Sequence, residues 1–253
     1  LGNLGNAHAA LGETRRAIEF HQQALAISRE IGDRRGEGQD LGNLGLAHAD
    51  LGETRRAIEF YEQALVIARE IGDRRGEGNR LGNLGNAHAA LGETRRAIDF
   101  YEQALAIARE IGDRLGEGNR LGNLGNSYAA LGETQRAIDF YEQALAIARE
   151  IGDRLGEGNR LGNLGNSYAA LGETQRAIDF HQQALAISRE IGDRLGEGNR
   201  LGNLGNAHAE LGDIPTAITL TEQALAIFVA VESPYAEQAR QQLARLRGGT
   251  AEG

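Results

Sequence analysis

The chain repeats itself every 40 residues. Leu-Gly-Asn-Leu-Gly opens at Leu1, Leu41, Leu81, Leu121, Leu161 and Leu201, giving six copies, and a different sequence follows Arg240. A fixed period of this length is satisfied by stacking one supersecondary unit on the next, not by wrapping the chain around one central core. The copies at Leu81 and Leu121 differ only at Ala87 against Ser127, His88 against Tyr128 and Arg95 against Gln135. Such near-identity implies recent duplication or consensus design, and it denies the middle copies any separate chemistry.

Each copy reads as two helices. Over residues 73 to 113, Asp73 is a good N-cap for helix A, which is expected from about Arg74 to Leu91, where Gly92 supplies the left-handed C-cap position. Helix B is expected from about Thr94 to Ile111, with Glu93 a weaker cap, before Gly112 stops it and Asp113 caps the next helix. Asp213 is the better cap in the sixth copy. Connections this short make neighbouring helices antiparallel. Helix A carries Gly76, Gly78, Gly82 and Gly85, each costing about 1 kcal/mol against Ala, so only tertiary packing holds it together. Helix B is apolar over a wide arc (Ala97, Ile98, Phe100, Tyr101, Ala104, Leu105, Ile107, Ala108, Ile111) and is expected to be clamped between its own helix A and the next. Its other side, from Arg95 to Glu110, is solvated, with Arg95 and Asp99 at pairing distance along the helix.

Composition narrows the function classes. Hydrophobic residues make up 41% and charged residues 25%, as in an ordinary folded protein. All 27 basic residues are Arg, and against 36 acidic residues they leave a net charge of -9 with the signs interleaved, which excludes a general nucleic-acid binder. Without Cys there is neither a disulfide framework nor a thiolate zinc site. No apolar run reaches membrane-spanning length, so no membrane partner is expected, and a cytoplasmic location is favoured. The chain begins at Leu1 and contains no Met, so it reads as a fragment or processed piece.

No catalytic or metal constellation emerges. Gly76-Glu-Gly78-Asn-Arg-Leu-Gly82 has the wrong spacing for a dinucleotide loop and follows no strand. His8, His48, His88 and His208 occupy a place that Tyr128 and Tyr168 fill in other copies, and His21 and His181 alternate with Tyr61, Tyr101 and Tyr141. A metal ligand is not exchangeable with tyrosine, so these are core rings. The carboxylates are expected near arginines on outer faces, with no pair set in an apolar pocket for acid-base work. The expectation is a non-enzyme without cofactor or metal.

At these residues the chain resembles the tetratricopeptide repeat family. The signature positions are met by Leu81, Leu84, Gly85, the His88 ring, Ala97, Tyr101 and Ala104 and their counterparts in every copy, over Leu1 to about Ala230. The Leu-Gly-Asn-Leu-Gly-Asn and Ala-Ile-Ala-Arg-Glu-Ile-Gly-Asp stretches are most similar to the Pins/LGN polarity adaptors and to the sensor arrays of bacterial signalling ATPases. Thr94 stands where many such repeats have an aromatic, and the connecting loop lacks the family's usual proline. The resemblance implies an all-α solenoid: a right-handed superhelix of six helix-turn-helix units over residues 1–232. Ser233-Pro234 then opens a capping helix over 233–247 with Ala236, Ala239, Leu243 and Leu246 as its apolar stripe, and a disordered tail is expected over 248–253.

The asparagines need a reason, because Asn is a poor helix former. Asn79, Asn83, Asn86 and Ala90 share one face of helix A, opposite Leu81, Leu84, Gly85 and His88. One reading is a hydrogen-bond ladder between copies that fixes the twist, or inherited repetition. The other is a ligand ladder, since an amide both donates and accepts and a row of them can satisfy an extended peptide backbone. Similar residues line the concave groove in the resembled family. The candidate peptide-binding residues are Asn43, Asn79, Arg80, Asn83, Asn86, Asn119, Arg120, Asn123, Asn126, Asn159, Arg160, Asn163, Asn166, Asn199, Arg200, Asn203 and Asn206. Gly82 and Ala90 are expected to let a backbone come close. Gln39, Asp40 and Asp50 are expected to form an acidic entrance, and the arginines from the third copy onward suit an acidic or carboxylate-bearing peptide. The expected function is a non-catalytic interaction scaffold. The alternatives are the sensor of a larger nucleotide-hydrolysing switch, or an amplified array without a ligand. Residues 1 to 11 are expected to fray or to be covered end to end by another copy of the chain.

Overall fold

The computed structural model describes residues 1–248. On them lie thirteen α-helices: α1 (Gly2–Ala10), α2 (Thr14–Glu30), α3 (Arg34–Asp50), α4 (Thr54–Glu70), α5 (Arg74–Ala90), α6 (Thr94–Glu110), α7 (Arg114–Ala130), α8 (Thr134–Ile151), α9 (Arg154–Ala170), α10 (Thr174–Glu190), α11 (Arg194–Glu210), α12 (Ile214–Ala230) and α13 (Tyr235–Gly248). No strand occurs among the described residues. Of the expected tail, Gly248 closes α13 and residues 249–253 lie outside the described residues.

The boundaries follow local chemistry. The side chains of Asp33, Asp73, Asp113, Asp153 and Asp193 each accept from the backbone N–H three residues on, at 2.9 Å, which satisfies one orphan donor of each of α3, α5, α7, α9 and α11. Gly92 and Gly112 sit at φ +76° and +68°, left-handed positions that stop the helix before them. Glu93 makes no side-chain cap; its carboxylate instead meets His88 Nδ1 at 2.6 Å. Asp213 accepts from Thr216 N–H at 3.3 Å, and Ser233 Oγ from Tyr235 N–H at 3.3 Å.

The chain divides into two compact units, Leu1–Leu131 and Gly132–Gly253. In the first, α1 to α7 pack consecutively and α1 also touches α3; in the second, α8 to α13 pack consecutively and α9 also touches α11. Within each unit the helices A of successive copies therefore form one layer and the helices B the other. Tyr61 and Leu65 of α4, Leu81, Leu84 and Ala87 of α5, and Ala104 and Ile107 of α6 make one cluster. Helix A is thus held between the helices B on either side of it, each helix B packs in turn on its own helix A and on the next, and full burial of each such leucine is worth about 1.5–3 kcal/mol. Arg95 does not pair with Asp99; Glu93 takes Arg96 instead, at 3.7 Å.

The ring positions of the inner copies are core, whereas His8 and His208, in the first and last copies, are only half-buried. His48 and His88 are buried and lie flat on Phe60 and Phe100 at 5.2 and 5.1 Å, and Tyr168 stacks on Phe180 at 5.2 Å in the second unit. One series of carboxylates departs from the outer-face expectation. Glu37, Glu77, Glu117, Glu157 and Glu197 are buried, each clamped by the arginine eight residues before it: Arg29, Arg69, Arg109, Arg149 and Arg189, at 2.8–2.9 Å. A second arginine, Arg34 or Arg114 at 2.5 Å and Arg74, Arg154 or Arg194 elsewhere, takes the other oxygen. The hydrogen bond from Arg29 holds Glu37 below the usual carboxylate range. At Glu117 burial pulls upward and the bonds from Arg109 and Arg114 outweigh it. Charge neutralisation on both oxygens lets these carboxylates be buried at every joint between copies.

Candidate functional site

The asparagines stand where helical spacing puts them. Asn79, Asn86, Asn119, Asn126, Asn159, Asn166 and Asn206 are exposed, and Asn43, Asn83, Asn123, Asn163, Asn199 and Asn203 are half-buried, on the helix-A layers of the two units. The amides engage one another first. In the first unit Asn123 Nδ2 donates to Asn86 Oδ1 at 3.1 Å, and the same oxygen accepts from Tyr101 Oη at 2.8 Å. In the second, Asn203 Nδ2 donates to Asn166 Oδ1 at 2.9 Å, and Gln242 Nε2 to Asn206 Oδ1 at 2.5 Å. Leu46 occupies the Asn86 place in α3 and offers Asn83 no amide. An inter-copy ladder is therefore present, and each rung leaves polarity over. Asn86 keeps both N–H groups of its amide and Asn123 keeps its carbonyl oxygen for a further partner.

The arginines lie across the joints. A Cβ built on Gly42 would fall 2.1 Å from Cζ of Arg80, and one on Gly82 would fall 2.2 Å from Cζ of Arg120. Each guanidinium thus lies against a glycine of the preceding helix A, and only glycine leaves room for it. Arg200 covers Gly162 in the same way within the second unit, and its Nη2 points to Gly158 O at 3.4 Å and Asn159 Oδ1 at 3.5 Å. Burial pushes Arg80, Arg120, Arg160 and Arg200 below the ordinary guanidinium range. Arg80 and Arg120 make no hydrogen bond or ion pair among the described residues, although their side chains remain partly exposed. Asp73 and Asp113 act on Arg80 and Arg120 through space without pairing with them, so the layer presents partly desolvated cations with no direct ion pair, beside amides with unused valence.

Two expected features of this face are corrected. Asp40 is buried and accepts from Ser28 Oγ at 3.0 Å, so it belongs to the joint between α2 and α3 and not to an acidic entrance; Gln39 and Asp50 are exposed. Gly82 does not offer its backbone to a ligand, because Arg120 already occupies the space. Of the two readings of the asparagines, the hydrogen-bond ladder between copies is present in the structure. The spacing of 37 residues from Asn86 to Asn123 and from Asn166 to Asn203, one repeat less one turn, carried its signal.

Antiparallel helix pairs in two layers, with glycine at each close joint, define a helical repeat protein of the kind that binds other proteins. The tetratricopeptide repeat profile matches residues 1–70, 41–110, 78–150 and 158–228, and the chain belongs to that family. No curated protein sequence matches it. Among solved structures, it is similar to BtubC (BKLC) from P. vanneervenii, at 23% identity and TM-score 0.77 over 87% of this chain and 92% of that one. A signal transduction ATPase with numerous domains, with a tetratricopeptide repeat sensor, from Pyrococcus horikoshii aligns at 18% identity and TM-score 0.87 over the whole of this chain and 39% of its own. A Rap protein complexed with competence and sporulation factor aligns at 16% identity and TM-score 0.69 over 99% of this chain and 75% of that one. Likeness at these identities shows the fold. No helix among the described residues is long and apolar enough to cross a membrane.

Proposed function

We propose that the chain is a non-catalytic, cytoplasmic interaction scaffold whose helix-A layers bind an extended, acidic peptide segment. The observation that carries this reading is the set of partly desolvated guanidinium groups, Arg80 and Arg120 above all, that make no direct ion pair beside half-used amides. A carboxylate-bearing segment supplies the direct pair, while Asn86 and Asn123 hold its backbone without demanding a particular side chain. The same role falls to Asn43, Asn79, Asn83, Asn119 and Asn126 in the first unit, and to Asn159, Arg160, Asn163, Asn166, Asn199, Arg200, Asn203 and Asn206 with its neighbours. Residues 1–232 act as the binding array and 233–247 as its cap. Exposed Leu1, just before α1, and Leu4 on it also suit end-to-end contact between copies of the chain, which light scattering across a concentration series tests.

The charge argument is tested by Arg80→Gln with Arg120→Gln. Binding of an acidic peptide is expected to weaken about tenfold or more, and its salt dependence to flatten, because two charges are removed from the contact. Affinity and salt dependence equal to those of the parent chain would refute the role of the arginines. The alternative, a sensor segment of a larger nucleotide-hydrolysing protein, draws on the alignment of the whole chain with the repeat sensor of the signal transduction ATPase.

A further inference from the structure

The joint motif runs out at the last copy. In the earlier copies a glycine of helix A is covered by the guanidinium of the next: Gly42 by Arg80, Gly82 by Arg120, and Gly162 by Arg200. Gly202 is the next glycine in this series, and a Cβ built on it meets nothing within 4 Å. The residue that would repeat the arginine, Arg240, lies on α13, is exposed, and donates to Glu237 at 3.1 Å. Above Gly202 there is instead a pocket of about 310 Å³ between α11, α12 and α13.

We propose that this pocket is a guanidinium site, which takes the arginine side chain of a partner peptide in the seat that Arg80, Arg120 and Arg200 fill elsewhere. Repetition puts one amide acceptor, Asn199, in the pocket, and Asn203 lines it beside Asn199, while Gly198 lies buried under Phe228 and Ile227. Arg200 points Nη2 to Gly158 O and Asn159 Oδ1 while covering Gly162; one copy on, these three are Gly198, Asn199 and Gly202, and Asn199 lines the pocket. Two substitutions suit the seat to an outside ligand. Thr221 stands where Tyr61, Tyr101 and His181 carry rings, which widens the space. Phe228 replaces the alanine or serine of earlier copies and, with Tyr235 at 5.7 Å between ring centroids, gives the wall a π surface for a planar cation. A guanidinium suits the site better than an ammonium, because it is flat, weakly hydrated, and donates in its own plane to the side-chain amides that line the pocket while its face rests on Gly202. Arg200 also lines the pocket, but its guanidinium is turned back over Gly162, toward Gly158 O and Asn159 Oδ1. The site is independent of the acidic-peptide reading above, and one peptide with an arginine at its end satisfies both.

The test uses the whole chain and acetyl-arginine methylamide as probe, followed by ¹H-¹⁵N NMR. The expected result is a saturable shift of Gly202, Asn199, Thr221 and Tyr235 that the lysine analogue does not reproduce. Gly202→Ala places a methyl where it meets no protein atom, so the variant is expected to melt no lower than the parent, yet its methyl takes the seat of the guanidinium and weakens binding about tenfold or more. Asn199→Ala removes an acceptor and is expected to weaken binding by a smaller factor. No saturable shift at Gly202, undiminished binding by a folded Gly202→Ala, or preference for acetyl-glutamate over the arginine probe would each overturn the proposal.

Discussion

Gly85→Ala is expected to lower stability by about 1–3 kcal/mol, although alanine is the better helix former by about 1 kcal/mol. The Cβ would fall 2.5 Å from Cε1 of Tyr101, a ring buried between helices that cannot withdraw without opening the α5–α6 joint. Gly82→Ala, three residues earlier on the same helix, meets only the far end of the Arg120 side chain, which can swing into solvent. Its cost is expected to stay within about 0.5 kcal/mol, with the helix-propensity gain offsetting the displaced guanidinium. Denaturant titration of the two variants, by circular dichroism, compares them directly. Equal effects would show that the rings are not closely packed against glycine.

The second large effect is on pH. His181 is buried against Gly165, and burial, assisted by the positive field of Arg200, pushes its pKa down to about 4. The folded chain therefore keeps His181 neutral where the unfolded chain, with an ordinary histidine near 6.5, binds a proton. Stability is expected to be full above about pH 6.5, to fall as pH drops towards 4, and to level off once both states are protonated. The shift corresponds to a loss on the order of 3 kcal/mol. His21, lowered by burial in the same sense, adds to this slope in the first unit. His181→Tyr places a ring that Tyr61, Tyr101 and Tyr141 show to fit, and it is expected to remove its share of the slope. A melting temperature that depends on pH equally in parent and variant would contradict the assignment.

The period and the chemistry at each turn made the helices legible: an aspartate that caps, a left-handed glycine that stops, and an apolar arc on helix B. The faces of helix A were legible too, since Leu81, Leu84, Gly85 and His88 are buried while Asn79, Asn86 and Ala90 are not. What was not legible depends on the register between copies. Gly82 reads as open backbone within one copy and is covered only once the next copy brings Arg120 over it. Asp40 reads as surface because its counterparts are arginines, yet Ser28 and the absence of a guanidinium draw it inward. The buried Glu77 was hidden for the same reason, because its partners Arg69 and Arg74 come from the end of one helix and the start of the next. Contacts repeated along one helix face follow from spacing; contacts across a joint require the packing offset.

The central claim is that the helix-A layers bind an extended acidic segment. Its most direct measurement is selection of peptides from a random display library on the intact chain, followed by NMR mapping of a selected peptide on side-chain amide and guanidinium resonances. The account predicts selected sequences rich in Asp and Glu that perturb Asn86, Asn123 and Arg120 and leave Glu102, Gln103 and Arg109 of helix B unchanged. Selected peptides that are neutral or basic along their length, perturbations confined to helix B, or no sequence enriched above background would contradict it.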